Sequence, residues 1–339
     1  VNRSGLRGVA WFGVALLAIS LSGSFVLLLL RYTAIQESGA RLMALAGLSS
    51  QLLLMCCGLA LLGAAMTLGE IRTAPRSKFR FGLAAALVPC CLFLWIASPM
   101  FTGWFGPAAA SSAPEFTLLE QNLWYRNEDP AKTAEAVLAE GAQVLVLMEY
   151  TPAHAQAFRQ AGVSAKYPYR WSVEDPYGHG LAVFSKLPVT EVKDLGLSGS
   201  GALVKLRSGG SIVDLYAVHF NAPTSIWDIP RWRSDFTRAT NVLKHAGPFT
   251  VVAGDLNATD GHIRMRKLLR AAELRDAQDV RSVGFAATWP ARGPIPTVLR
   301  LDHILLGPGM GLNSFRRMAA VGSDHLGLIA GLSVSGPDH

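Results

Sequence analysis

Asp255 and Asn257, one leucine apart in the stretch VVAGDLNATDG, set a carboxylate beside a neutral amide where an apolar strand ends. The placement recurs along the chain. Asn122 closes FTLLEQN, Glu149 follows QVLVLM, His219 follows LYAV, Asp302 and His303 lie in RLDHILL, and Asp324 with His325 precedes LGLIA. Each polar residue borders an apolar run, so strands packed in sheets gather them along one edge. Carboxylates, amides and imidazoles at one edge suit hydrolysis of a phosphate ester. That reaction needs a hard cation on the phosphoryl oxygens, held by a few carboxylate oxygens. It also needs imidazole donors facing the charge that grows in the transition state. A neutral amide grips a phosphate without repelling it.

Taken singly, most of these residues have a plainer role. Asp and Asn end strands because they bond their own main chain and tolerate unusual backbone angles. Asn122 alone reads as a strand-end amide tied to its loop, and His219 alone reads as a core histidine as readily as a catalyst. Glu149 differs, since a carboxylate closing a buried strand is costly unless it is paired or metal-bound. His303 adjoins Asp302 on one strand, and its side chain therefore points to the other face.

The elements that position these residues begin at Phe116. A strand over Phe116–Leu123 precedes a helix capped by Asp129 with Pro130 at its first position, and Thr151 with Pro152 opens another by the same chemistry after the buried strand QVLVLME. LAVFSKLPV reads as one strand, and ALVKLRSGGSIVDLYAVHF as a hairpin about a Gly-rich turn. A helix over Ile229–His245, a strand over Phe249–Asn257 and a helix over His262–Ala272 follow, then strands over Val298–Leu306, Phe315–Ala320 and His325–Val334. Hairpins mixed with crossovers favour two mixed sheets packed face to face with helices outside.

The first third of the chain is different in kind. Val9–Leu30, Met43–Leu68 and Phe81–Phe101 are uncharged runs, the last containing Pro89 and Pro99. About 20 such residues cross a hydrocarbon core as a helix, so three transmembrane helices are expected within a membrane domain, residues 1–105. A cleaved secretory signal accounts for the first run but not for the two that follow. GPAAASSAPE supplies a small, proline-bearing linker over 106–114, and a separate domain covers 115–335. Arg3 and Arg7 precede the first run, and Arg72, Arg76, Lys78 and Arg80 separate the second from the third. These basic loops set the start of the chain in the cytoplasm and the large domain outside.

Of the net charge of +7, residues 1–114 hold 8 basic against 2 acidic residues, whereas 115–339 hold 23 against 22. The basic excess thus lies in the membrane part, not where a nucleic-acid footprint belongs. All four cysteines fall in the apolar runs, which excludes a disulfide scaffold, a thiolate metal site and a cysteine nucleophile from the large domain.

The ordered series QNLW, LVLMEY, GHGLAVFSKLPV, VHFNAP, VVAGDLNATD, RLDHILL and GSDHLGL resembles the endonuclease/exonuclease/phosphatase superfamily over nearly all of residues 115–335. AVHFNAP followed by GDLNATD is particularly similar to its deoxyribonuclease I branch. The resemblance implies an α+β fold, a four-layered αββα sandwich, and a metal-dependent phosphoesterase. It implies that Glu149 binds Mg²⁺ or Mn²⁺ with Asn122 and Asp302, that Asn257 holds a phosphate oxygen with help from Asn122, and that Asp255 orients or deprotonates the attacking water. His219 and His325 then contact the phosphate or leaving group, and Asp324 fixes the ring of His325.

Three spans ahead of such a domain also resemble the bacterial membrane phosphoesterases related to the teicoplanin-resistance protein, which implies a phosphorylated lipid or lipid carrier as substrate and a lipid bilayer as partner, with no protein partner evident. Pro188–Arg207 lacks the tyrosine found in members that cleave abasic DNA. Two alternatives stay open: an extracytoplasmic nuclease acting on DNA or RNA, and a non-catalytic membrane sensor. Trp227, Trp232 and Trp289, with Arg231, Arg233 and Arg238, offer a lip toward anionic headgroups, or else packed tryptophans and a solvated helix face. YGHG over Tyr177–Gly180 reads as a substrate loop or a turn.

Overall fold

The computed structural model describes residues 3–68, 76–98 and 115–334. The chain divides into two compact units, Val1–Pro99 with Gly261–Ile263, and Met100–Asp260 with Arg264–His339. The expected linker over 106–114 and the expected boundary at 335 lie outside the described residues.

The first unit is helical: Arg3–Tyr32, Ala40–Gly47, Ser49–Leu68 and Arg76–Ala97. Among its described residues two segments are long and apolar enough to cross a membrane, Gly8–Tyr32 and Ser49–Thr67, with mean hydropathies of 2.4 and 1.7. Three were expected. Within the third run the described apolar helix is the shorter Ala85–Ala97, and the end of that run, 99–101, lies outside the described residues. The second run is divided at Leu48, which ends one helix before Ser49 starts the next. Where the two long helices cross, a Cβ on Gly13 would stand 2.7 Å from the Gly63 carbonyl oxygen, and the converse also holds. Such close approach is how apolar helices gain packing energy without a hydrophobic driving force between them.

Among its described residues the second unit contains twelve strands in chain order: β1 Phe116–Asn122, β2 Val144–Met148, β3 Tyr169–Val173, β4 Leu181–Ser185, β5 Val189–Asp194, β6 Ser200–Ser208, β7 Ser211–His219, β8 Thr250–Asp255, β9 Arg275–Asp276, β10 Asp302–Leu306, β11 Met310–Met318 and β12 Gly327–Val334. They form two six-stranded sheets, ordered β11-β12-β1-β2-β4-β3 and β5-β6-β7-β8-β10-β9. At the heart of each lies one parallel pair, β1 with β2 and β7 with β8. Leu118, Val146 and Val183 of one sheet pack against Leu215, Val251 and Ile304 of the other as the inter-sheet core. Alternation along the strands turns Leu119, Leu145 and Leu147 to the opposite face, where Val137 and Phe158 of the helices Pro130–Ala139 and Pro152–Gln160 cover them. On the outer face of the second sheet, the helix Ile229–Leu243 buries Trp232 and Phe236 edge-on against one another, with Phe220 beside Phe236. An α+β sandwich of two sheets results.

The helix starts follow the expected chemistry. Asp129 accepts the Lys132 amide at 3.1 Å, and Thr151 with His154 forms a reciprocal capping box. Two expected strands are divided. LAVFSKLPV breaks after Ser185, whose hydroxyl accepts the Leu187 amide and donates to the Leu187 carbonyl. With Pro188 lacking an N–H, the chain leaves the first sheet and enters the second as β5. The strand expected from Val298 begins only at Asp302, because Leu299 pairs in an isolated bridge with Trp289 and Thr288 takes the amides of Leu301 and Asp302.

Candidate active site

Strand directions bring one end of each parallel pair to the same end of the sandwich. β1 and β2 deliver Asn122 and Glu149; β7 and β8 deliver His219 and Asp255. β10 runs antiparallel to β8 with Asp302 in register with Asp255, and β12 runs antiparallel to β1, so His325 precedes its first residue at that end.

Asn122 joins the two halves. Its Nδ2 donates to Glu149 Oε1 at 3.1 Å and to Asp255 Oδ2 at 3.2 Å, while its Oδ1 accepts the Trp124 amide at 2.9 Å. That orientation makes Asn122 a bridge that orders two carboxylates. Ligation of a cation through Oδ1, as expected from the sequence, would use the second lone pair of an oxygen that already accepts the Trp124 amide. Glu149 Oε2 accepts the Tyr125 amide at 2.6 Å. Glu149 and Asn257 both adopt positive φ, 54° and 47°, a left-handed conformation that costs free energy for residues with a Cβ and is retained where side-chain aim matters.

Asp255 Oδ1 accepts the Asn257 amide at 2.7 Å, and its Oδ2 lies 3.9 Å from both His219 Nε2 and His325 Nε2. Burial and then the nearby Asp302 charge push Asp255 up to about 7, against the opposing pull of His325. Burial lowers His219, whose Nδ1 has no hydrogen-bond partner. For His325 burial acts downward too, but the charge and hydrogen bond of Asp302, then Asp255, raise it to about 10. Asn257 donates Nδ2 to the Phe220 carbonyl at 2.9 Å, and Trp232 Nε1 holds the Asn257 carbonyl at 3.1 Å.

The partner of His325 differs from expectation. Asp302 Oδ2 meets His325 Nδ1 at 2.8 Å, whereas Asp324 stands 4.0 Å from Nε2. Trp289 draws Asp324 away, donating its Nε1 to Oδ2 at 3.2 Å. Asp324 and His325 are sequence neighbours, but the register of β10 against β8 brings a residue 23 positions distant to the imidazole.

His303 faces away from the site, bonding Asp276 at 2.6 Å and the Ala258 carbonyl at 2.8 Å. Glu120 was not anticipated. It lies two residues before Asn122 on the same face of β1, fully buried, and neither of its oxygens has a partner. Burial and then Asp302 and Asp255 raise it well above the usual carboxylate range. The signal was present in the sequence: a glutamate in the middle of an apolar strand, in step with Asn122.

The donor set fits a hard divalent cation. Ligand atoms of Asp255, Asp302 and His325 lie within 4.8 Å of one another, and Asp302 Oδ1 is buried without a partner. Carboxylates crowded in a dry site without enough positive charge raise one another's pKa, as Asp255 shows, and a divalent cation relieves this. His325 meets Asp302 through Nδ1, which leaves Nε2 as the ring nitrogen that faces Asp255.

Residues 119–325 match the model of the endonuclease/exonuclease/phosphatase family. The chain belongs to this family. As a member it is a metal-dependent phosphoester hydrolase, with the buried Asp255, Asp302 and His325 as its candidate metal centre. No curated protein matches the chain. Among solved structures it is similar to truncated Caenorhabditis elegans TDP2, at 15% identity and a TM-score of 0.51 over 63% of this chain and 96% of that one. It is likewise similar to Danio rerio TDP2 complexed with single-strand DNA product, at 17% identity and a TM-score of 0.51 over 64% and 98%. A third is the endonuclease/exonuclease/phosphatase from Bacteroides vulgatus, at 17% and 0.51 over 65% and 99%. At these identities the likeness is one of fold.

Proposed function

We propose that this family member is a membrane-anchored, Mg²⁺-dependent phosphoesterase whose substrate is a phosphorylated lipid or lipid carrier at the outer face of the membrane. One observation carries the reading: the phosphoester-hydrolase site shares its chain with two apolar helices of membrane-spanning length, Gly8–Tyr32 and Ser49–Thr67. In this proposal residues 1–105 are the membrane domain, with the helix Arg76–Ala97 as a third span, 106–114 the linker and 115–335 the catalytic domain. The basic loops keep the start of the chain cytoplasmic, and the protein stands close to the teicoplanin-resistance branch.

Glu149 and Asp302 would hold the cation, with Asn122 ordering the Glu149 and Asp255 carboxylates. A bound divalent cation supplies Lewis-acid polarisation of the phosphoryl oxygens. Asp255, with a pKa raised to about 7, accepts a proton from the attacking water near neutral pH. Asn257 positions a phosphate oxygen. The Asp302–His325 pair holds a proton on the imidazole and presents Nε2 to the phosphoryl group or leaving oxygen, while His219 offers a second imidazole from the other wall. Asp324, bonded to Trp289, steadies the loop that carries His325.

The test is hydrolysis by the full chain in detergent micelles with Mg²⁺, offered polyprenyl pyrophosphate, phosphoinositides, sphingomyelin and DNA. Turnover of a lipid substrate that stops in chelator is expected; DNA cleavage with every lipid untouched would overturn the lipid reading. The nuclease alternative draws its support from the single-strand DNA product bound to the similar Danio rerio TDP2.

A further inference from the structure

The exposed apolar side chains of the second unit are unevenly placed. Among its described residues, five large apolar side chains are more than half exposed: Val173, Tyr177, Ile226, Trp227 and Ile295, from 51% at Val173 to 79% at Tyr177 and Trp227. All five stand at the catalytic end. Val173 ends β3 in register with Leu181, the first residue of β4. Tyr177 lies in the loop between them, Ile226 and Trp227 in the loop after His219, and Ile295 in the loop between Trp289 and Leu299 that leads into Asp302. At the opposite end, the turns after Ser185, Ser208 and Leu306 carry no large apolar side chain this exposed.

Contacts tie these loops into one rim. A Cβ on Gly178 would meet the Tyr125 ring at 3.3 Å and the Glu149 carboxyl carbon at 3.7 Å, so the Tyr177 loop sits against the mouth of the site. Arg292, in the Ile295 loop, stacks over Trp124 at 4.5 Å, and Arg126 over Tyr125 at 5.0 Å. Trp124 and Tyr125 follow Asn122 with only Leu123 between. Several acidic groups of the rim are occupied locally: Asp175 accepts the amides of Tyr177 and His179, Asp228 accepts hydroxyls of Thr224 and Ser225, and Glu174 pairs with Arg159. Of the three tryptophans read as either a lip or packed rings, Trp232 is packed and fully buried and Trp289 bonds Asp324, which leaves Trp227 exposed.

We propose that this rim docks on the lipid bilayer, with Trp227, Ile226, Tyr177 and Ile295 entering the headgroup region around the active-site mouth. Projecting apolar tips ringing a polar site are a poor surface to leave in water, whereas Trp and Tyr favour the membrane interface, where one end of the ring is dry and the other wet. Arginines stacked on aromatics keep their charge available for lipid phosphates. The bilayer is the occupant because two helices of the same chain have the length and apolarity to cross one. A lipid headgroup then reaches Asp255 and His325 without leaving the membrane surface. The inference deepens the lipid reading above and rests on it.

The experiment uses the full chain in vesicles of phosphatidylcholine, alone or with phosphatidylglycerol, containing lipids brominated near the headgroup. The fluorescence difference between wild type and Trp227→Phe isolates Trp227. Blue-shifted emission, quenched by the bromines and shielded from aqueous iodide in either lipid mixture, is expected. Trp227 emission that is red, open to iodide and untouched by bromines overturns the docking. An Ile226→Asp/Ile295→Asp variant is expected to lose about tenfold in turnover of lipid in vesicles, equivalent to about 1.4 kcal/mol, and to keep its rate on a water-soluble phosphodiester in detergent. Equal loss on both substrates overturns it too. Quenching of Trp227 together with no hydrolysis of any lipid keeps the docking and rejects the lipid substrate; lipid hydrolysis with an unquenched Trp227 does the reverse.

Discussion

Replacing Asp255 by Asn should make the protein more stable while abolishing its activity. Asp255 is buried, and its pKa is raised from 3.8 to about 7. A carboxyl with a raised folded-state pKa leaves stability untouched below its unfolded value, and the cost of ionising it in the fold builds as pH rises from 3.8 to about 7, then stays constant. At about 1.4 kcal/mol per unit, the cost is about 4 kcal/mol above pH 7 without metal. Asn removes it and keeps the acceptor for the Asn257 amide, but its NH₂ meets the Asn122 Nδ2 now bonded to Oδ2, a loss of about 1–2 kcal/mol. The net gain is about 2–3 kcal/mol, or roughly 5–10 °C in Tm for a unit of about 220 residues. Thermal unfolding of the full chain in detergent with chelator, at pH 8 and at pH 4, measures it. The gain should be present at pH 8 and absent at pH 4, and turnover with Mg²⁺ should fall by orders of magnitude. A variant no more stable than wild type at pH 8, or equally favoured at both pH values, refutes the account of Asp255 as a strained, ionised base.

Wild-type kcat/KM should rise through about pH 7 as Asp255 ionises and fall near pH 10 as His325 loses its proton, a bell whose limbs belong to the coupled group and whose acid limb moves lower when cation is bound. Asp302→Asn should draw the alkaline limb toward the ordinary histidine range, while Asp324→Asn leaves it nearly in place; the opposite order would return the ring-fixing role to Asp324. Glu149→Gln should raise the Mg²⁺ concentration for half-maximal activity by roughly 10–100-fold, within the range for disturbed ligand sets, and an unchanged Mg²⁺ titration would remove Glu149 from the cation's shell.

Much of this arrangement was readable in the chain. Polar residues closing apolar strands marked Asn122, Glu149, His219, Asp255 and Asn257, because a strand's end is also a sheet's edge and the parallel pairs share one. Capping residues marked helix starts for a local reason, and the structure repeats them at Asp129 and Thr151. What escaped was non-local. The partner of His325 depends on the register of β10, which adjacency to Asp324 does not reveal. The passage from β4 to β5 hides within a run that reads as one strand, since the break is made by a serine hydroxyl and a proline that a strand edge also tolerates. The edge strands β3 and β5 are largely exposed, and they lack the apolar alternation that identifies a half-buried strand.

The order of strands in the first sheet places β12 between β11 and β1. The earliest strand of the catalytic unit therefore waits for the latest before its open edge is filled, and His325 arrives only with that closing segment. A chain that has not yet reached β12 lacks both that neighbour for β1 and the imidazole that Asp302 holds, so it stays chemically silent, and a cut between β10 and β12 would part the two residues.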